Sequence, residues 1–280
     1  MLDAVFRRDG DRFIPTRFAS SAWGADVLHG GPPCGLLARA IELAMPAPGL
    51  QLARLTVDLF RAVPLAALEV HTEAIRTGRR IVAMRASILA EGVEVARAHG
   101  VLLRPTPDET EAAVAPDAAP PPGPEGIETL TLSRRPPSEP LPEGMPPGFH
   151  TYVEARWVTA PGDVRPGAWF RMPCPLVEGE ETTPVQRAAT LSDFGNALAG
   201  AAGGRARGDG GSPALGMINT DVTLYMARPP RGEWLCLRMD HLATRDGVGL
   251  VSVEQFDVDG RFGQSVQARL ANPRRSATDG

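Results

Sequence analysis

Asp193 stands out among the residues that could carry chemistry, because it is an acid within a stretch of mostly small and apolar residues, Thr183–Gly200. In a helix with about 3.6 residues per turn, Asp193 shares a face with Gln186, Thr190 and Asn196. Such a carboxylate is either a solvent-facing charge or a buried group whose pKa is raised. In the second case Asp193 could act as a general base that takes a proton from a water molecule.

The start of the helix that carries Asp193 is well marked in the sequence. Thr183 followed three residues later by Gln186 forms a capping box, and Pro184 occupies the first helical position, where no N–H group is needed. The pattern predicts one continuous helix from Thr183 to Gly200, with Asp193 near its middle.

A second candidate feature is the stretch Leu28-His-Gly-Gly-Pro, which leads into a helix whose apolar residues recur at helical spacing from Leu36 to Ala44. Backbone N–H groups at a helix start are unpaired, and glycines let a carbonyl group approach closely. We therefore predict substrate binding by His29, Gly30 and Gly31. The alternative is that the glycines only form a turn and that His29 is structural.

The chain divides into two blocks with a connector between them. Residues 1–104 carry a helix followed by four strand-like runs, and residues 149–280 repeat this order of helix and strands. Residues 105–148 contain thirteen of the chain's 28 prolines and few large apolar residues, which favours an extended connector. We predict an N-terminal unit, this proline-rich connector and a C-terminal unit that carries the catalytic residues.

The two blocks also match residue by residue, as an internal repeat does. Matching residues lie at a constant separation: Val57 and Val222, Leu59 and Leu224, Ala62 and Ala227, Pro64 and Pro229. Each block must bury the apolar face of its sheet against its own long helix, and joining the blocks edge to edge would protect the open strands. The sequence therefore predicts an α+β double hotdog, in which two tandem units form one continuous antiparallel sheet.

Composition excludes several classes of protein. The chain has 280 residues and a formal net charge of −4, and we find no run of basic residues that could follow a phosphate backbone, so we expect no nucleic-acid partner. No apolar stretch has the length of a membrane span, and the N-terminus does not resemble a signal peptide. Three scattered cysteines form no disulfide or metal pattern, so we expect a cytoplasmic protein without a metal or cofactor.

Several short motifs, most of them in the second block, resemble those of the type II acyl-CoA thioesterases and their thioesterase-like relatives. These motifs are Ala168-Trp-Phe-Arg-Met, Pro175-Leu-Val-Glu-Gly-Glu, Leu191-Ser-Asp-Phe, Ile218-Asn-Thr-Asp-Val-Thr-Leu, Arg228-Pro-Pro-Arg-Gly-Glu-Trp-Leu and Ser265-Val-Gln. The resemblance covers nearly the whole chain apart from the connector. It implies hydrolysis of an acyl-CoA or a related acyl thioester, and a homo-oligomer.

The resemblance also implies a catalytic set. In that family an aspartate on the second helix, a hydroxyl or amide residue on the next strand and a glutamine on the last strand hold a water molecule. Carried over by position, these residues are Asp193, Asn219 and Gln267. Asn219 departs from the usual threonine, so it keeps a hydrogen-bonding group but changes its length and donor geometry.

Two other functions fit the same fold. An enoyl-thioester hydratase would need an acidic residue paired with a histidine near a helix start, and His29 is the one candidate for that histidine. A non-catalytic acyl-thioester-binding module is the other alternative, for which the asparagine at position 219 is the only indication. A serine nucleophile is not supported, because Gly263-Gln-Ser-Val-Gln lacks the final glycine of a nucleophile elbow. Cys34 is better explained as a core residue than as a nucleophile.

Overall fold

The computed structural model of the chain describes residues 4–24, 26–106, 121–141, 146–203 and 215–273. In these ranges, thirteen strands form one antiparallel sheet, and the long helices pack against one of its faces. The predicted α+β double hotdog with a continuous sheet is confirmed.

The elements follow the chain in the order that the sequence predicts. The first half contains β1 (Phe6–Asp9), β2 (Arg12–Pro15), a short 3-10 helix (Arg17–Ala19), α1 (Gly31–Leu43), β3 (Gln51–Asp58), β4 (Leu68–Thr77), β5 (Ile81–Ala90) and β6 (Val93–Leu103). The second half contains α2 (Phe149–Tyr152), β7 (Glu154–Trp157), β8 (Gly167–Arg171), α3 (Pro184–Ser192), α4 (Gly195–Gly203), β9 (Leu215–Asn219), β10 (Asp221–Met226), β11 (Leu235–Arg245), β12 (Val248–Asp257) and β13 (Gly260–Pro273).

The two halves of the sheet meet where β3 pairs with β10. The strand order is β1-β2-β4-β5-β6-β3-β10-β13-β12-β11-β8-β7, and β9 pairs with β13. At this seam Val57 lies opposite Val222, and Leu55 lies opposite Leu224. Val57 and Val222 are a pair that the sequence repeat matches. A repeated residue that faces its own counterpart marks a local two-fold axis, as in an isologous interface between subunits.

The long helices α1 and α3 pack directly against each other. A Cβ atom on Gly31 would lie 2.5 Å from the carbonyl oxygen of Thr190, and one on Gly35 would overlap the Thr190 hydroxyl. Both glycines are required by this close approach of the two helices, since any larger side chain would push the helices apart.

Polar contacts between the halves surround this helix pair. Arg39 on α1 is nearly buried and donates two hydrogen bonds of 2.6 Å to the carboxylate of Glu180. The capping box of Thr183 and Gln186 forms as predicted at the start of α3. Glu42 of α1 accepts hydrogen bonds from both capping side chains, at 2.7 Å and 3.0 Å. Burial raises the pKa of Glu42, although the two hydrogen bonds by themselves lower it.

The predicted single helix from Thr183 to Gly200 is wrong, because the structure divides it into α3 and α4 at Asp193. The Ser192 carbonyl accepts a hydrogen bond of 3.0 Å from Gln267 Nε2, while the Asn196 N–H group bonds to the Asp193 carbonyl instead. The Ser192 hydroxyl also donates to the carbonyl of Ala188, four residues earlier. Side chains that compete for helix carbonyls in this way bend or interrupt a helix.

Smaller differences concern the strands. The first strand-like run after the second long helix is interrupted at Thr220, which separates β9 from β10. At this break the Asp221 carboxylate accepts the N–H group of Ala268, and the Thr220 N–H group bonds to the Ala268 carbonyl. Strand β1, which the sequence analysis did not predict, lies at the edge of the sheet.

Part of the predicted connector packs on the second half. Residues 121–141 form no regular strand or helix, apart from a single bridge between Leu130 and Ala155. The Pro122 carbonyl accepts the indole N–H group of Trp169, and the Arg134 guanidinium lies 3.7 Å from the centre of the Trp157 ring. The rest of the connector, at residues 107–120 and 142–145, lies outside the described residues.

The short helix α2 contributes two buried rings beside α1. The Phe149 ring lies 5.4 Å from the His29 ring, and the His150 ring stacks on His29 with ring centres 6.3 Å apart. Burial lowers the pKa of His150 to about 4, with a smaller contribution from the nearby His29. In the described residues, no helix is long and apolar enough to cross a membrane.

The packing of α1 on α3 predicts an effect of adding one methyl group. We expect Gly35→Ala to lower the free energy of unfolding by about 1–3 kcal/mol, which is typical of an overpacked core. The matched control is Gly200→Ala in α4, where a Cβ atom would meet nothing within 4 Å. Urea denaturation of both variants measures the difference. Adding Thr190→Ala to Gly35→Ala should restore part of the loss, and no recovery would argue against a direct clash.

The low pKa of His150 predicts a dependence of stability on pH. Above pH 6.5 the ring is neutral in both the folded and the unfolded chain, so it contributes nothing. As the pH falls toward 4, the unfolded chain binds a proton that the folded chain does not, and the folded state loses up to roughly 3 kcal/mol. His150→Phe should therefore lose less stability than the wild type between pH 6.5 and 4. His71→Gln, at an exposed position, serves as the control. Parallel pH profiles of the wild type and His150→Phe would contradict the prediction.

Candidate active site

Asp193 lies at the break between α3 and α4, with its side chain only 4% exposed. Its Oδ1 atom accepts a hydrogen bond of 2.5 Å from the amide of Asn219, at the end of β9. Its Oδ2 atom lies 2.8 Å from Nδ1 of His29, which precedes α1. The carboxylate is therefore held by groups from both halves of the chain, and the solvent-facing alternative is wrong.

The short contact with Asp193 constrains the protonation of His29. A carboxylate oxygen only accepts hydrogen bonds, so Nδ1 must carry the proton for a 2.8 Å contact to be favourable. Nδ1 also lies 3.2 Å from the backbone nitrogen of Gly31, and it cannot accept from that N–H group while it donates to Asp193.

Gly30 allows the backbone of the first half to reach the carboxylate. A Cβ atom at this position would lie 2.7 Å from Oδ1 of Asp193 and 3.0 Å from its Cγ atom. Only glycine fits here without moving the acid. The structure thus places His29 and Gly30 beside Asp193. The backbone nitrogen of Gly31 lies within hydrogen-bonding distance of His29.

Gln267 approaches the site from β13 but is bound to Ser192 rather than to Asp193. Its Nε2 atom donates to the Ser192 carbonyl, and its Oε1 atom is buried with no hydrogen-bond partner in the described part of the chain. A Cβ atom on Gly195 would lie 3.1 Å from this oxygen. A buried acceptor of this kind requires a donor, and an ordered water molecule is the usual one.

A second buried glutamine, Gln255, supports the same break in the helix. Its Nε2 atom donates to the hydroxyl groups of Ser192 and Ser265, at 2.8 Å and 3.1 Å. The sequence analysis missed this residue. Gln255 lies on a predicted strand, but its inward orientation next to Ser192 depends on the pairing of β12 with β13.

A cavity of about 290 Å³ opens beside the carboxylate. Gly30 and Asn219 line this cavity. Most of its other walls are apolar, among them Trp23, Leu59 and Val63, and Arg61 and Asn272 add polar groups. It adjoins a wider depression of about 730 Å³ that also reaches Asn219, and charged residues of both signs line it: Arg61, Arg97, Asp58 and Asp221. An apolar cavity with a few polar groups at one end is the usual form of a small-molecule site.

The described residues do not favour other forms of chemistry at this site. Cys34 is fully buried, and burial together with the negative charges of Asp193 and Asp221 raises the pKa of its thiol well above the ordinary value. A thiol of this kind is a poor nucleophile. In the described ranges, no group of histidine, cysteine or acidic side chains is arranged to hold a metal ion.

Arg269 is a further polar residue near the site that the sequence analysis missed. It lies directly opposite Asn219 in the pairing of β13 with β9, and its side chain is buried. The alternation of a strand could have identified it, because Arg269 follows Gln267 by two positions and therefore shares its face.

Comparisons with known proteins agree with this architecture. The family model described as the acyl-CoA thioesterase C-terminal domain matches residues 108–270, and the N-terminal domain model matches residues 19–115. No curated protein sequence matches the chain significantly.

Solved structures show the same fold at low sequence identity. A candidate thioesterase II from Thermobifida fusca YX is 15% identical with a TM-score of 0.69, covering 96% of this chain and 97% of that one. A candidate thioesterase from Novosphingobium aromaticivorans is 20% identical with a TM-score of 0.68, covering 96% and 98%. An acyl-CoA thioesterase II from Mycobacterium marinum is 17% identical with a TM-score of 0.63, covering 90% and 93%. With both domain models matched in order on one double hotdog, the chain belongs to the acyl-CoA thioesterase family.

Proposed function

We propose that the protein hydrolyses an acyl-CoA or a related acyl thioester to the free acid and the thiol. The observation that carries the proposal is the buried Asp193 carboxylate, which Asn219 and His29 hold beside a cavity that Gly30 and Asn219 line. Membership of the acyl-CoA thioesterase family supports the same reaction class.

In this proposal Asp193 accepts a proton from the attacking water. Asn219 and His29 fix the orientation of the carboxylate, and the buried Oε1 atom of Gln267 accepts a second hydrogen bond from the same water. The water oxygen then adds to the carbonyl carbon. When the carbon–sulfur bond breaks, the thiolate leaves and takes up the proton that Asp193 had accepted, which restores the carboxylate. Placing a base and an oriented water in this way typically gives a hundred- to ten-thousandfold rate increase.

The start of α1 supplies hydrogen-bond donors for the negative charge that develops on the substrate. The carbonyl oxygen of a thioester becomes negative as water adds to it, and hydrogen-bond donors stabilise that charge. Gly30 lines the cavity and leaves room for close approach, and it directly precedes α1, whose first N–H groups have no partner within the helix. We assign the oxyanion contact to this backbone segment, in agreement with the substrate-binding role that the sequence predicts.

The walls of the two cavities suit the two ends of an acyl-CoA. The smaller cavity is lined by Trp23, Leu59 and Val63, which favour an acyl chain, and Arg61 lines both cavities, where it could bind a phosphate group. This arrangement supports acyl-CoA as the partner, with the thioester between the cavities, near Asn219.

A second candidate function is hydration of an enoyl thioester. The 2.8 Å contact between His29 and Asp193 favours it, because it supplies the pair of acid and histidine that such chemistry requires. The sequence analysis could not predict this pairing, since His29 and Asp193 come from different halves of the chain.

Asp193→Asn tests the proposed base. We expect thiol release from at least one member of a panel of short-chain, medium-chain, long-chain and aryl acyl-CoAs, and a decrease in kcat of about a hundred- to ten-thousandfold in the variant. The amide keeps the size of the side chain but cannot accept the proton. Asp240→Asn, at an exposed aspartate on β11, serves as the matched control and should keep the wild-type rate.

Adding an enoyl-CoA to the panel separates the two reactions. If the wild type removes the double bond of an enoyl-CoA without releasing thiol, and Asp193→Asn does not, the hydratase function is favoured over the thioesterase function. Equal thiol release in the wild type and Asp193→Asn would exclude Asp193 as the base. If neither reaction occurs, a binding module is favoured.

The hydrogen bond from Asn219 to Asp193 predicts different effects of two similar substitutions. Threonine keeps a donor and is the usual residue in the family, so Asn219→Thr should retain activity within about tenfold. Valine has the same shape without the hydroxyl, and Asn219→Val should lower kcat by about ten- to a hundredfold, as expected for a lost hydrogen bond to a charged group. Initial-rate kinetics on one substrate decide this. Equal rates for the two variants would show that the hydrogen bond does not contribute.

A further inference from the structure

Trp23 is the largest side chain that lines the smaller cavity, and 53% of its surface is exposed. It precedes α1, in a segment whose ends, Ser20 and Leu28, form an isolated bridge. Its backbone N–H group donates a hydrogen bond of 3.1 Å to the Ser21 hydroxyl. A ring that lines a cavity and is half exposed lies at the boundary between the cavity and the solvent.

Gly216 of β9 determines where the indole ring lies. A Cβ atom on Gly216 would lie 3.0 Å from both Cη2 and Cζ3 of Trp23, which is closer than side chains normally pack. Glycine at this position therefore lets the ring rest directly on the backbone of β9. Because Trp23 belongs to the first half of the chain and β9 to the second, the ring closes a space between the two halves.

The cavity runs along β9, with Asn219 and the ring of Trp23 at its two ends. On β9 the cavity is lined by Ile218 and Asn219, and on β13 it is lined by Asn272. Asn272 lies opposite Gly216, three residues before Asn219. Strand residues are spaced by about 3.4 Å, so the ring lies about 10 Å along the strand from Asn219.

We propose that Trp23 forms the end wall of the acyl site and limits the preferred acyl group to a medium-length chain. The proposal rests on the proposed thioesterase function and specifies its substrate class. An extended backbone covers 10 Å with about nine bonds, so an acyl chain whose carbonyl carbon lies near Asn219 reaches the ring after roughly eight carbons. The volume agrees with this length, because about 290 Å³ holds roughly ten groups of the size of a water molecule.

Carbons beyond the ring should add nothing to substrate recognition. Each methylene that is buried among apolar side chains favours binding by about fourfold, whereas a methylene that extends past Trp23 stays in water. We therefore expect kcat/KM to rise from butanoyl-CoA through hexanoyl-CoA to octanoyl-CoA, and then to stay level or fall for dodecanoyl-CoA and palmitoyl-CoA. Initial rates of thiol release across this series measure the profile.

Trp23→Ala should change the chain-length profile rather than the chemistry. The ratio of kcat/KM for dodecanoyl-CoA to that for octanoyl-CoA should increase by about tenfold, because further methylenes can then lie on β9 where the ring was. Butanoyl-CoA does not reach the ring, so its kcat/KM should stay within about threefold of the wild type. Trp23→Phe keeps an aromatic wall and should remain closer to the wild-type profile.

Tyr225→Ala is the matched control for the loss of an aromatic side chain. Tyr225 on β10 is exposed to a similar degree, 49%, and it lines neither of the two cavities. This variant should keep the wild-type profile. The same dodecanoyl to octanoyl ratio in the wild type and Trp23→Ala would overturn the proposal. So would a wild-type kcat/KM that continues to rise from octanoyl-CoA to palmitoyl-CoA.

A binding measurement keeps this proposal distinct from the proposed function. If the wild type cleaves no member of the series, the thioesterase function fails, and the hydrolysis-resistant octyl and dodecyl thioethers of CoA are then used as ligands. Thermal stabilisation that favours the dodecyl thioether more strongly in Trp23→Ala than in the wild type would support the role of Trp23. The same difference between the two thioethers in both proteins, or no stabilisation by either, would overturn it.

Discussion

The close packing of α1 on α3 is the constraint on which the rest of the molecule depends. Gly31 and Gly35 let the two helices approach until the backbone and hydroxyl of Thr190 leave no room for a side chain. This separation brings the start of α1 to the end of α3, so that His29 and Gly30 reach Asp193. A site shared by two halves requires that the distance between the halves be fixed, and here two glycines fix it.

The break between α3 and α4 shows how the sheet shapes the site. Gln267 donates a hydrogen bond to the Ser192 carbonyl, which would accept from a backbone N–H group if the helix were continuous. Gln255 donates to the hydroxyl group of the same serine. Both glutamines are buried, so their amide groups have few alternatives to these contacts. The helix therefore ends at Asp193 because of the strands beneath it, which turns the carboxylate toward Asn219 and His29 rather than along the helix face.

Much of the fold could be predicted from the sequence, and the reasons differ between elements. The capping box at Thr183 and the alternation along β4 to β6 are local signals, and the repeat that matches Val57 with Val222 predicted the joining of the two halves. The break at Asp193 and the pairing of His29 with Asp193 could not be predicted, because both depend on contacts between residues far apart in the chain. Asp193 was singled out by its position in the helix, whereas Asn219 and Gln267 came from a family resemblance. Of the two, only Asn219 is joined to Asp193 by a hydrogen bond.

The inner face near Asp193 is more polar than stability alone would favour. Gln267 keeps an unsatisfied oxygen there, and Arg269 keeps a charge that no carboxylate of the described residues balances. Apolar residues of similar size would often be neutral or stabilising in such positions. Departures from good packing and pairing concentrate where a molecule must bind something else, because the missing partner is supplied by the ligand. The buried acceptor of Gln267 calls for a donor, and in the proposed reaction that donor is the attacking water.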